Sequence, residues 1–256
     1  MTESFADGAL TLTRGRVARL TLDAPARRNA MNRAMWAAIP EVCAAVAADA
    51  GVRVLTLAGA GETFCAGADI SEFSVVYAAP EVTAAYNATI RRAMAALRAL
   101  PCPVIAVVRG ACVGGGCGLA LACDLRFAAT DARFAIPPAR LGIAYPPEDT
   151  WALVQAVGAA RAKDMLISAR MVDAEEALRI GLVDRLCADP EAEAAAYAES
   201  VAGNAPASVR LAKAMVNGLT APAVDPALQA AFEGIFAGPD FAEGRAAFVE
   251  KRKPRF

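Results

Sequence analysis

Two stretches of this chain put glycine and alanine where a fold usually wants larger side chains. One reads VRVLTLAGAGETFCAGADISEF and the other VIAVVRGACVGGGCGLALACD. Each has the layout of a strand, a loop of small residues and the start of a helix. The first backbone N–H groups of a helix lack partners within it and lie beside the positive end of its dipole. Small residues at Ala66, Gly67, Ala68, Gly114, Gly115 and Gly116 let an outside group reach such amides. Two N–H donors from separate loops, converging on one oxygen, make an oxyanion hole that stabilises charge developing on a carbonyl. The glycine triplet also has a second reading, a close helix–strand crossing with no ligand. A dinucleotide fingerprint fits less well, because GxGxxG is not matched after Val108.

Composition bounds the remaining chemistry. The 256 residues include no histidine, which removes Ser-His-Asp and Cys-His triads, His-ligated zinc and histidine bases together. Carboxylates, tyrosine, backbone amides or a cofactor must do the work. Seven cysteines form no CxxC pair and stand mostly among apolar neighbours, the pattern of small buried hydrophobes rather than of metal ligands or disulfides. A net charge of −1 makes no general offer to nucleic acid or to an anionic membrane. Every apolar run is interrupted before about 18 residues, too short for a span. The opening MTESFADGAL lacks the basic and apolar regions of a signal peptide. These features point to a cytoplasmic protein. With 57% hydrophobic and 21% charged residues, the chain can build one substantial core.

The elements that must hold the two loops follow from periodicity. Alternation on either side of Arg14-Gly15 predicts a hairpin of residues 9–13 and 17–22. Helical spacing covers 32–49, with Pro40 as a kink or break, and 81–100, closed by Pro101-Cys102-Pro103. Strands are predicted at 52–58, 104–108, 125–128 and 182–186, and helices at 116–123, 148–157, 159–168 and 174–180. Beyond residue 188 only helical patterns remain, at 190–202, 207–219, 226–236 and 239–250. The organisation is α/β, with strand–helix units over 1–188 and a helical segment over 189–256. Trp36 and Trp151 read as core, Asp124 as a structural link to the next loop, and Glu62 and Glu72 as surface.

Four segments stand in a recognisable order: LDAPARRNAMN (22–32), FCAGADISEF (64–73), GACVGGGCGLALACD (110–124) and EGRAAFVEKRKP (243–254). Over nearly its whole length the chain resembles the crotonase, or enoyl-CoA hydratase/isomerase, family. The resemblance implies a crotonase-like spiral of ββα repeats with a C-terminal helical trimerisation segment, assembled as a homotrimer or a dimer of trimers. It implies an acyl-CoA thioester as substrate, with coenzyme A part of that substrate and no separate cofactor or metal. By position, the amides of Ala68 and Gly115 match the pair that binds the thioester oxygen. Ala66, Asp69 and Ile70 match residues along the adenine and pantetheine path, and Ala30 and Gly114 join that substrate-binding set. Arg27 and Arg28 resemble basic residues flanking the nucleotide, or are solvated charges. Phe248 and Lys251 match residues that close over the nucleotide, often from a neighbouring subunit.

The chain departs from this family where hydration is done. Hydratases use two glutamates, one to activate water and one to manage the proton at C2. The matching positions are Gly118 and Pro138, which move no proton. Some family isomerases instead use one carboxylate from a neighbouring loop, which here suggests Glu148. Glu148 is equally a first-turn carboxylate favoured, with Asp149, by a helix dipole. Tyr145 stands where relatives that decarboxylate malonyl-type thioesters place a tyrosine against the departing carboxylate, yet those relatives carry histidine where this chain has Ala68. Tyr145 is otherwise a packed aromatic with a satisfied hydroxyl. The expected function is an isomerase-type proton shuttle through a thioester enolate. The alternatives are a hydratase with a displaced acid, a malonyl-type decarboxylase, and a non-catalytic acyl-CoA binding protein.

Overall fold

The computed structural model describes residues 1–220, 230 and 232–254. Among them run ten strands: β1 Thr2–Phe5, β2 Leu10–Thr13, β3 Val17–Leu22, β4 Val54–Gly59, β5 Val104–Val108, β6 Ala111–Val113, β7 Leu125–Ala129, β8 Arg133–Ala135, β9 Val172–Asp173 and β10 Arg185–Cys187. Seven form one sheet in the order β1-β2-β3-β4-β5-β7-β10, antiparallel through β3 and parallel from there on. A second sheet joins β6, β8 and β9.

The helices are α1 Arg33–Ala48, α2 Phe73–Val76, α3 Pro80–Arg98, α4 Gly115–Ala122, α5 Pro147–Val157, α6 Ala159–Ser168, α7 Ala174–Arg179, α8 Pro190–Gly203, α9 Pro206–Leu219 and α10 Pro239–Val249. The repeating unit is a main-sheet strand, a short strand of the second sheet and a helix, seen in β5–β6–α4 and β7–β8–α5. This is the α/β architecture anticipated from the sequence.

Every residue of β5, VIAVV, is buried, as expected for a parallel strand covered on both faces. Val104, Ala106 and Val108 face the main core, whereas Ile105 and Val107 meet Ala194, Ala198 and Ala202 of α8. The alanine-rich sequence of α8 therefore lets it lie close on the sheet. Asn32 caps α1, its side-chain oxygen accepting from the Met35 N–H at 2.9 Å, and the helix continues through Pro40 without a break.

Four strands, β1, β6, β8 and β9, carry no alternation long enough to read in advance. The strand expected at 182–186 begins only at Arg185. The N–H groups of Leu182 and Val183 both donate to the Ala177 carbonyl, at 2.9 and 3.2 Å, and so close α7. Asp184 then joins β7 through Arg126. Of the helix expected at 226–236, residues 226–229 and 231 lie outside the described residues; 230 and 232–234 are helical, and Ile235–Ala237 forms a 3-10 turn. Phe236 stacks on Tyr77 at 4.9 Å, and Phe241 of α10 meets the same ring edge-on. Among the described residues no helix is long and apolar enough to cross a membrane.

Candidate active site

The two small-residue loops are stitched together before they reach their helices. Phe64 donates to the Arg109 carbonyl at 2.8 Å, Cys65 to Ala111 at 3.0 Å, and Val113 back to Cys65 at 2.9 Å. Cys65 thus pairs with Cys112 as a parallel bridge. Three residues further along each chain stand Ala68 and Gly115. A Cβ on Gly116 would lie 2.5 Å from the Cys65 carbonyl oxygen, so this member of the triplet does serve a close crossing. Gly114 has φ +53° and ψ −113°, a conformation costly for any residue with a side chain.

A second bridge orients Ala68. Met31 donates to the Gly67 carbonyl at 2.8 Å and accepts from Asp69 at 2.9 Å. The bonds flank Ala68, so its own N–H faces away from Met31. A Cβ on Gly115 would be 3.6 Å from the Ala68 nitrogen, and one on Gly67 would be 3.7 Å from the Gly115 nitrogen. Neither of these two N–H groups has an acceptor among the described residues. Two free amides from separate loops therefore stand side by side.

Buried Asn29, which sequence reasoning missed, locks the neighbouring turn in place. Its amide donates to Ala60 and Thr63 carbonyls at 2.9 and 2.6 Å, and its oxygen accepts from Ala24 at 3.0 Å. That turn carries Arg27, Arg28 and Ala30. Arg27 and Arg28 are exposed, and the Arg28 carbonyl accepts from the Ala66 N–H at 3.0 Å. Asp69 caps the 3-10 turn Ile70–Glu72, accepting from the Ser71 N–H at 3.0 Å, and lies 4.0 Å from Arg27 Nε. Arg27, Arg28, Ala30, Ala66, Ala68, Asp69, Ile70, Gly114 and Gly115 are in this way brought into one neighbourhood. Phe248 and Lys251 stand apart from it, exposed at the C-terminal end of α10, which packs on the 3-10 turn Pro138–Leu141.

Behind the amides, α4 meets α5 and α3. A Cβ on Gly118 would lie 2.8 Å from Met94 Cε, 3.2 Å from the Tyr145 hydroxyl and 3.3 Å from Asp149 Oδ2. Tyr145 is buried and donates to the Gly114 carbonyl at 3.2 Å. Burial, with the Asp149 charge beside it, pushes its phenol well above the ordinary tyrosine range, so it stays a neutral donor. Asp149 is 3% exposed, and its Oδ1 accepts from Arg98 Nη2 at 2.7 Å. Burial holds this carboxyl above the usual aspartate range, opposed by Arg98 and reinforced by Glu148. Glu148 Oε2 is buried with no hydrogen-bond partner among the described residues.

Met94, Arg98, Glu148 and Asp149 border a cavity of about 1220 Å³ that extends to Lys213 of α9. Ala68 and Gly115 are not among its walls. Asp124 accepts from the Val104 N–H and from Lys213, both at 2.7 Å, as a structural link. Trp36 is fully buried, whereas Trp151 is half-buried and lines the cavity. Six of the seven cysteines are buried free thiols; burial pushes Cys65 up to about 12, which keeps it protonated and inert.

A parallel-rich sheet with a small second sheet, wound in strand–strand–helix units about paired loop amides, defines the crotonase class of α/β enzymes. The chain belongs to the enoyl-CoA hydratase/isomerase family, whose sequence profile matches residues 13–256. It is 36% identical over 247 residues to a short-chain-enoyl-CoA hydratase from Clostridium acetobutylicum, covering 93% of each chain. It is also 36% identical to a crotonyl-CoA hydratase from Syntrophomonas wolfei, covering 94% of each. Among solved structures, an enoyl-CoA hydratase/isomerase from Pseudoalteromonas atlantica is similar with a TM-score of 0.83 at 32% identity, over 97% of this chain and 99% of the other.

Proposed function

We propose that this protein binds an acyl-CoA thioester, holds its carbonyl oxygen on the amides of Ala68 and Gly115, and moves a proton along the acyl chain through an enolate. The observation that carries this reading is the adjacency of two N–H groups, from different loops, that have no acceptor among the described residues. Each such donor is worth about 3 kcal/mol once negative charge gathers on the oxygen. Gly118 and Pro138 supply no titratable group, so the two-acid addition of water lacks both its usual members. A shuttle needs one base. Glu148 and its neighbour Asp149 supply carboxyls at this end of α5, and Tyr145 bears on the Gly114–Gly115 peptide through its hydrogen bond.

The exposed Arg27 and Arg28, beside Ala66, Asp69 and Ile70, suit the nucleotide and pantetheine of coenzyme A, and nothing beyond that substrate moiety is required as cofactor. A cytoplasmic homotrimer or dimer of trimers accords with the apolar stripe of Leu211, Met215 and Leu219, which α9 leaves exposed at every fourth position. Hydration remains the second reading, favoured by the names of the two hydratase relatives.

One assay separates these readings. Supplied with a 3-enoyl-CoA, the enzyme is expected to yield the 2-enoyl isomer without accumulating a 3-hydroxyacyl-CoA. Rapid formation of the hydroxy product from a 2-enoyl-CoA would establish hydration instead. Tight binding with no turnover of either substrate would leave a binding protein.

A further inference from the structure

We infer that Asp149 is the proton carrier of this site, a carboxylate supplied from the first turn of α5 to the side of α4 where position 118 bears no side chain, and aimed by Arg98. The inference rests on the enolate reading above and names the group that reading leaves open.

Position 118 sits on α4, facing inward, and has no side chain. The atoms nearest to its absent Cβ come from Met94, Tyr145 and Asp149. Asp149 Oδ2 stands 3.3 Å from that point, so a carboxylate borne on α5 reaches the place where a side chain from α4 would begin. Glu148 does not take this place, because adjacent residues on a helix point about 100° apart. Its Oε2 is buried with no hydrogen-bond partner among the described residues.

The two oxygens of Asp149 are inequivalent. Arg98 Nη2 holds Oδ1 at 2.7 Å, which fixes the plane of the carboxylate. Oδ2 accepts no hydrogen bond from any described side chain, since the Tyr145 hydroxyl is turned to the Gly114 carbonyl. One oxygen is anchored and the other is free, in a site that is 3% exposed. Burial favours the neutral acid and Arg98 favours the anion, a balance that lets the group both take and return a proton.

The step balances without water or an oxidant. Oδ2 takes the proton from C2 of a 3-enoyl thioester, and the C2–H electron pair becomes a C1=C2 bond as the carbonyl pair moves onto oxygen. The resulting dienolate is held by the Ala68 and Gly115 amides. Asp149 returns the same proton to C4, the oxygen pair re-forms the carbonyl, and the double bond finishes between C2 and C3.

The test follows exchange of the C2 protons of butanoyl-CoA in heavy water by NMR, with binding of the thioester measured in parallel. Wild type is expected to exchange. D149N is expected to lose at least about 100-fold in rate, the scale of a general base, while still binding, and to lose at least tenfold more than E148Q. Exchange by D149N within threefold of wild type, or a larger loss in E148Q, overturns the assignment. Absence of exchange in wild type overturns the enolate reading itself, and the two failures are thereby distinguished. Should D149N not fold, D149E keeps the charge against Arg98 and moves it by one methylene. A rate change of tenfold or more then supports Asp149, and a rate within threefold of wild type overturns it.

Discussion

The Tyr145 hydroxyl and the Gly115 N–H lie at opposite ends of one peptide group. Tyr145 donates to the Gly114 carbonyl, and polarising that oxygen strengthens and steers the N–H on the other side. Tyr145→Phe removes a bond worth about 1 kcal/mol, so the rate of C2 exchange is expected to fall about 5-fold to 10-fold while thioester affinity holds. An unchanged rate would leave Tyr145 as packing alone. At this scale the sequence was legible in part. The loop residues 66–68 and 114–116 could be picked out because small residues at helix starts have a physical meaning of their own, and the family resemblance singled out Ala68 and Gly115 among them. Asp149 could not, because its significance depends on Gly118 of a different helix lacking a side chain, and no local pattern links the two positions. Arg98 was hidden for the same reason, as one charge among several on α3.

Elements bring the amides together through backbone, not side chains. The Cys65–Cys112 bridge sets the register of two loops, and Gly116 lets α4 pass against the Cys65 carbonyl. Gly116→Ala is therefore expected to destabilise the fold by about 1–3 kcal/mol in denaturant unfolding, the scale of overpacking. It should also slow exchange by displacing Gly115 relative to Ala68. A stability and rate equal to wild type would show that the crossing has slack. Long helices and buried strands were readable in advance: β5 and α6 fall at their expected limits. The three-residue strands β6 and β8 were not, since each is too short to show alternation and is held by its parallel partner. Those short strands are the ones that place the second loop.

Across the whole molecule, the sheet is covered on one face by the main core and on the other by α8, which leaves the loops at its edge to carry function. The C-terminal helices divide their labour. Residues of α8 complete the core, α10 clasps Pro138–Leu141 and the aromatic ring of Tyr77, and α9 keeps an apolar stripe exposed. The helical character beyond residue 188 was legible from periodicity, whereas the partners of each helix were not, because amphipathic faces record burial without naming what buries them.

The central claim is that both amides grasp one oxygen. A crystal structure with a bound acyl-CoA measures it directly. The expected result is a thioester oxygen within about 2.7–3.2 Å of the Ala68 and Gly115 nitrogens together. An oxygen that touches only one of them, or that lies in the cavity toward Lys213, would contradict it.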